Sequence, residues 1–186
     1  SSSSAASDVY KRQILEVLSA TKTAVRNTYG QSDTVTYIVS IVNSGTTPIT
    51  GISVTDNLGE YTFGTTTLVP LTYIDGTVKY YVNGVLQPSA VVTAGPPLVV
   101  SGITVPAGGS VTVVYEAAVN EFAPLDTTSV INNTAIVAGT GITPITAEEE
   151  ITVESTPVLT ITKSVSPVPV TENGTLTYTF LIQNSG

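Results

Sequence analysis

Three residues of this chain are of types that could react with one another: Lys22, Asp56 and Asn133. Alternation along a strand puts every second side chain on one face. By that rule Leu18, Ala20 and Lys22 share a face, as do Ile52, Val54, Asp56 and Leu58, and Ile131, Asn133, Ala135 and Val137. Each of these apolar faces carries one polar residue, and a buried Lys or Asp is costly unless paired. Burial lowers the pKa of a lysine and frees its amine as a nucleophile. Burial raises the pKa of a carboxyl, so Asp56 could keep its proton and polarise the Asn133 carboxamide. Attack of the amine on the amide carbon, with loss of ammonia, would make a spontaneous intramolecular isopeptide bond. A plainer reading of the same residues also stands. Lys22 and Asp56 would form an ion pair at the rim, with Asn133 bonded to backbone and the Lys22 head reaching water, or Asp56-Asn57 would simply open a turn.

The elements that must position these residues read as strands. Val17–Ala24 and Thr34–Asn43 come first, and Asn43-Ser44-Gly45-Thr46 turns the chain into Ile49–Leu58. Tyr73–Val82 and Val85–Gln87 flank Asn83-Gly84, the strongest short hairpin signal present. Val91–Thr93, Leu98–Ile103, Ser110–Val119, Val130–Val137 and Ala147–Val153 follow, separated by Gly- and Pro-containing turns. Eight to ten such strands predict an all-β fold, an immunoglobulin-like β-sandwich.

The chain then starts over. Residues 21–45 and 162–186, offset by 141 positions, share Thr21, Lys22, Thr34, Thr36, Tyr37, Ile41, Asn43, Ser44 and Gly45 without a gap. A fixed-period repeat means an array of like modules. The expected organisation is a tail or adaptor remnant over 1–13 (or a short helix capped by Asp8), one sandwich module over 14–155, and the truncated start of a second, incomplete copy over 156–186. Val158–Ser164 would open that copy, with Lys163 in the place of Lys22. The absence of Met and the stop in mid-module fit a fragment of a longer protein.

Composition narrows the function classes. Charged residues make up 11% and hydrophobic ones 41%, which suits a folded domain rather than a polar tract. No apolar run has the length of a membrane span. With no Cys and no His, disulfides, thiolate chemistry and the usual general base are missing. A net charge of −8 with six Lys and Arg supplies no footprint for nucleic acid. Neither a cofactor nor a metal is expected, since the carboxylates of Glu148-Glu149-Glu150 alternate faces and read as edge protection. Tyr61, Tyr73 and Tyr80-Tyr81 could stack a sugar or pack beneath the hairpin. Asn132 opens a glycosylation sequon and would point outward if Asn133 points inward.

The phrases "ATKTAV", "DTVTYIVSIVNSGTTPITGISVTDNL", "VPAGGSVTVVYEAAV" and "INNTAIV" occur in this order. They resemble the conserved-repeat domain found in tandem in large surface proteins of bacteria and archaea. That resemblance implies an immunoglobulin-like sandwich and a place outside the cell or on its surface. The order Lys22, Asp56, Asn133 is similar to that of one class of Gram-positive adhesin domains that form isopeptide bonds. The expected role is structural, not enzymatic: a spacer or stalk repeat of a surface, adhesin or S-layer-like protein whose partners are neighbouring modules of the same chain. The alternatives are a sandwich that binds a carbohydrate or a host or cell-surface protein, and a filament subunit joined by strand exchange. In the last case the strands 158–164 and 175–183 would stand unpaired until they complete a neighbour.

Overall fold

The computed structural model describes residues 17–154 and 159–184. The stretch 1–13 and the Thr156-Pro157 junction lie outside the described residues. In chain order the strands are β1 (Leu18–Ala24), β2 (Thr28–Tyr29), β3 (Thr34–Asn43), β4 (Ile49–Asp56), β5 (Tyr61–Phe63), β6 (Thr66–Leu68), β7 (Leu71–Tyr73) and β8 (Lys79–Val82). They continue with β9 (Val85–Leu86), β10 (Val91–Thr93), β11 (Leu98–Val105), β12 (Ser110–Val119), β13 (Val130–Ala138), β14 (Ile145–Val153), β15 (Leu159–Ser166) and β16 (Thr177–Asn184).

The first unit, through Val153, is an immunoglobulin-like β-sandwich. One sheet runs β1-β3-β12-β8-β9, with β7 also paired to β12, and the other runs β10-β11-β4-β13-β14-β2. The long strands are built from Val, Ile, Thr and Tyr, which suit a pleated, half-buried surface. Every second side chain faces in: Val35, Tyr37, Val39 and Ile41 from β3, and Val111, Val113, Tyr115 and Ala117 from β12. Ile52 and Val54 of β4, Val100 and Ile103 of β11, and Ile131, Ala135 and Val137 of β13 meet them from the opposite sheet.

The structure differs from the sequence expectation in three places. Tyr73–Val82 is not one strand: Gly76, at φ +78°, turns the chain between β7 and β8. The strand from Ile49 ends at Asp56, because the Asp56 carboxylate takes the Leu58 N–H and bends the backbone away. The short strands β2, β5 and β6 were not expected. The Asn83-Gly84 hairpin forms as expected, with both residues at positive φ and Val82 opposite Val85.

The second unit is a two-stranded hairpin of β15 and β16. Its strands pair with one another, unlike the two unpaired strands that the strand-exchange alternative calls for. Its register repeats that of β1 and β3: Leu159 lies opposite Asn184 as Leu18 lies opposite Asn43, and Val165 opposite Tyr178 as Ala24 opposite Tyr37. Leu159, Ile161, Phe180, Leu181 and Ile182 are all exposed. A lone two-stranded hairpin is at best marginally stable, and this one leaves both faces open.

The structure also explains the repeated Asn-Ser-Gly. Asn43 is fully buried at the end of β3. Its Nδ2 donates to the carbonyls of Thr47 at 2.8 Å and Val105 at 3.3 Å, and its Oδ1 accepts the Gly45 N–H at 2.9 Å. One side chain thus closes the turn and ties it to β11. Replacing Asn43 with Ala orphans these buried groups and should destabilise the first unit by about 2 kcal/mol, read from urea unfolding. A loss within a few tenths of a kcal/mol would contradict this account of the motif.

Candidate functional site

Lys22 and Asp56 meet inside the sandwich, and Asn133 lies on the same inward face as Asp56, although its carbonyl bonds to the Gly59 N–H and not, as expected from sequence, to Asp56. Lys22 comes from β1 in the first sheet; Asp56 and Asn133 come from the paired strands β4 and β13 of the second. Asp56 sits opposite Ala135, two residues along from Asn133, so the two side chains lie diagonally on one face. All three are buried, with Lys22 4% exposed, Asp56 1% and Asn133 0%. The rim placement and the snorkelling lysine of the plainer reading are therefore not what the fold adopts. Its other three elements are present: Lys22 and Asp56 do form an ion pair, Asp56 does open a turn, and Asn133 does bond to backbone.

Asp56 is the hub. Its Oδ2 accepts from Lys22 Nζ at 2.5 Å and from the Tyr115 hydroxyl, while its Oδ1 accepts the Leu58 N–H at 2.8 Å. Lys22 Nζ also stands 4.8 Å from the centre of the Tyr37 ring, and that ring stacks on Tyr115 at 5.7 Å. Burial pulls the Lys22 amine down to about 8, against the opposing pull of the Asp56 carboxylate. Burial, reinforced by the Asp56 charge, pushes the Tyr37 and Tyr115 hydroxyls up, so both stay protonated donors.

Asn133 is held by its oxygen only. Oδ1 accepts the Gly59 N–H at 3.1 Å, and Nδ2 has no hydrogen-bond partner among the described residues. The Tyr37 hydroxyl is also buried without a hydrogen bond of good geometry, yet it and the Tyr115 hydroxyl lie near enough to the Asn133 carboxamide to feel it, an effect that opposes the larger one of burial. The site thus presents an amine of lowered basicity, a carboxylate in contact with it, and a carboxamide whose carbonyl is polarised by a backbone N–H while its nitrogen has only loose neighbours, the Tyr37 and Tyr115 hydroxyls.

Tyr37, Tyr115 and Gly59 were not singled out from sequence. Both tyrosines obey the inward alternation of β3 and β12, but their convergence on Asp56 depends on which strands face each other. The Asp-Asn-Leu-Gly turn was the available signal for Gly59. In the second unit Lys163 repeats the Lys22 arrangement, with Nζ 4.5 Å from the Tyr178 ring centre.

Of the remaining sequence candidates, Glu149 alone reaches the site. Tyr73 is buried and Tyr80 and Tyr81 are half-buried, so they offer no open stacking face. Tyr61 donates its hydroxyl to the Phe122 carbonyl at 2.6 Å. Glu148 and Glu150 face out, while Glu149 turns in, half-buried opposite Asn133, and its charge favours the protonated forms of Lys22 and Tyr37. No group of acidic residues able to hold a metal ion occurs among the described residues, and no described helix is long and apolar enough to cross a membrane. Asn132 is exposed, as its sequon requires.

The fold is shared with bacterial surface proteins. The full-length major pilin SpaD of Corynebacterium diphtheriae superposes with a TM-score of 0.54 at 16% identity, over 86% of this chain and 40% of the pilin. The N-terminal domain of a Streptococcus gordonii adhesin gives 0.53 at 11% identity, over 73% of this chain and 32% of that one. The pilus backbone RrgB of Streptococcus pneumoniae gives 0.50 at 15%, over 65% and 31%. The chain therefore spans less than half the length of each. No family model matches the sequence, and no curated protein does.

The lowered amine makes a pH prediction for a chain that keeps Lys22 but has lost its carboxamide, Asn133→Ala. Between about pH 8 and 10.5 the unfolded lysine binds a proton that the folded one has shed. Folding stability from this group should therefore rise with pH across that window. Urea midpoints of Asn133→Ala, referred to Asn133→Ala with Lys22→Met, should climb from pH 8 to pH 10. A flat or falling difference would show that the Lys22 amine is not depressed.

Proposed function

We propose that this chain is a structural spacer module of a large cell-surface protein, an adhesin, pilus or S-layer-like assembly, and that Lys22 and Asn133 become joined by an isopeptide bond. The observation that carries the reading is the buried Lys22–Asp56 pair beside a carboxamide bonded through its oxygen alone. Such a bond would link β1 of one sheet to β13 of the other, where a pull on the module's ends would otherwise slide the sheets apart. Without cysteine, it is the covalent brace this chemistry can supply.

The tandem arrangement belongs to the same reading. The module is taken as 14–155 and the opening of the next as 156–186, and the shared register of β1–β3 and β15–β16 supports a second copy. So does the repeated seat of Lys163 over Tyr178. The fold shared with pilin and adhesin domains supports a location on the cell surface and neighbours of the same kind as partners. A ligand-binding sandwich is the second reading. In its favour is an open groove of about 550 Å³ lined by Leu58, Tyr73, Asp75, Pro96 and Phe122, among others.

Load-bearing is tested by pulling single molecules of the full chain from its ends. The bond would shield the 133 − 22 = 111 residue steps between Lys22 and Asn133 from the force. At about 3.6 Å per residue, Lys22→Ala should release about 400 Å more length than the unmodified chain. Equal released lengths would remove the brace and leave the groove as the place to look for function.

A further inference from the structure

The turn after β4 is built against β13. Asp56 Oδ1 accepts the Leu58 N–H, and Asn57 Oδ1 accepts the Gly59 N–H at 2.9 Å and the Thr134 N–H at 3.0 Å. The Asn57 N–H donates in turn to the Thr134 carbonyl at 3.0 Å. Asn57 therefore staples the turn to the residue next to Asn133. The staple brings the Gly59 N–H, shared with Asn57, to 3.1 Å from Asn133 Oδ1. Gly59 has φ +76°, and a Cβ here would stand 2.6 Å from Ile131 Cγ2 and 3.0 Å from Pro70 Cγ. Only glycine lets the amide come this close in this conformation.

We propose, resting on the Lys22–Asn133 reading, that the Gly59 N–H is the donor that stabilises the negative charge formed on Asn133 Oδ1, and that Asn57 is the residue that positions it. Lys22 passes a proton to Asp56 Oδ2, with which it is in contact, and its amine bonds to Asn133 Cγ. The carbonyl electron pair moves onto Oδ1, where the Gly59 N–H meets the growing charge in a site closed to water. The pair then returns and the Cγ–Nδ2 bond breaks. Of the three protons of the Lys22 ammonium, one stays in the new amide. The other two go by way of Asp56 to the departing NH2, which leaves as ammonium. Charge balances and nothing is oxidised or reduced. The unpartnered Nδ2 fits a leaving group, and the oxygen-side bond fits an electrophile.

The test follows the full chain from synthesis. Protein made by cell-free translation is quenched in denaturant at intervals and weighed for loss of ammonia. A single backbone donor of this kind is worth on the order of a hundredfold or more in rate. Gly59→Ala should slow the loss by about that factor, and Asn57→Ala by at least about tenfold. Asn57→Asp, which keeps an acceptor for both N–H groups, should recover part of the rate. Because Ala at position 59 strains the backbone, a second reading is taken in the Lys22→Met chain, where the carboxamide stays intact. There the side-chain carbonyl 13C resonance of Asn133 should move toward that of a free amide when Asn57 is replaced by Ala, while the sandwich stays folded. Unchanged rates in chains that keep Lys22 and still lose ammonia, together with an unmoved resonance in the Lys22→Met chain, would overturn the role of Gly59 alone. An unmodified chain that never loses ammonia would overturn both this role and the bond it serves.

Discussion

Lys22 and Asp56 sit 2.5 Å apart with their side chains out of water, and the rest of the interior is arranged around that pair. Taking two charges out of water costs several kcal/mol per ion, and their attraction roughly offsets this only when further hydrogen bonds are supplied. Tyr115 and the Leu58 N–H supply them to Asp56, and the Tyr37 ring lies against the amine. Fully burying one aliphatic side chain is worth about 1.5–3 kcal/mol, so an apolar pair of the same volume would stabilise the core at least as well. Stability alone therefore does not account for the pair. It leaves an ammonium that gives up its proton more readily than an ordinary lysine, at about 8, and that points at the interior, which is where a nucleophile is needed.

The site also carries a second unfavourable group. A buried NH2 without a partner costs about 1–3 kcal/mol, and Asn133 Nδ2, which has the Tyr37 and Tyr115 hydroxyls near it but no hydrogen bond of good geometry, bears part of that cost. Loss of ammonia would remove the orphan donor and the buried ammonium in one step. The energetic weaknesses of the unlinked site are those the bond would relieve. The topology gives the bond a use. Among the described strands β1 is at the edge, with β3 as its only partner in the sheet, so it is the element a pull from the N-terminal side would peel first.

Much of this was legible in the sequence because the strands that carry the site are long. Over eight to ten residues the two-residue period of β4, β12 and β13 is unambiguous, and it turned Asp56 and Asn133 inward on paper as it does in space. β1 was read more clearly through its repeat, where Leu159 and Ile161 accompany Lys163. Alternation says which way a side chain points, not what it meets across the sandwich. Tyr37 and Tyr115 were visible as core residues, but their meeting at Asp56 was not. Strands of two or three residues, such as Thr28–Tyr29, carry too little period to be read. The turn at Asp56-Asn57 was seen as an alternative to an inward Asp56. In the structure one carboxylate does both, since Oδ1 holds the turn while Oδ2 faces the amine.

The most direct measurement is the intact mass of the full chain, unfolded in denaturant, beside its Asp56→Ala variant. The account predicts a mass short of the calculated value by one ammonia, with the full mass restored in the variant. A full calculated mass in the unmodified chain would contradict it and leave Lys22, Asp56 and Asn133 as a buried polar cluster without a reaction.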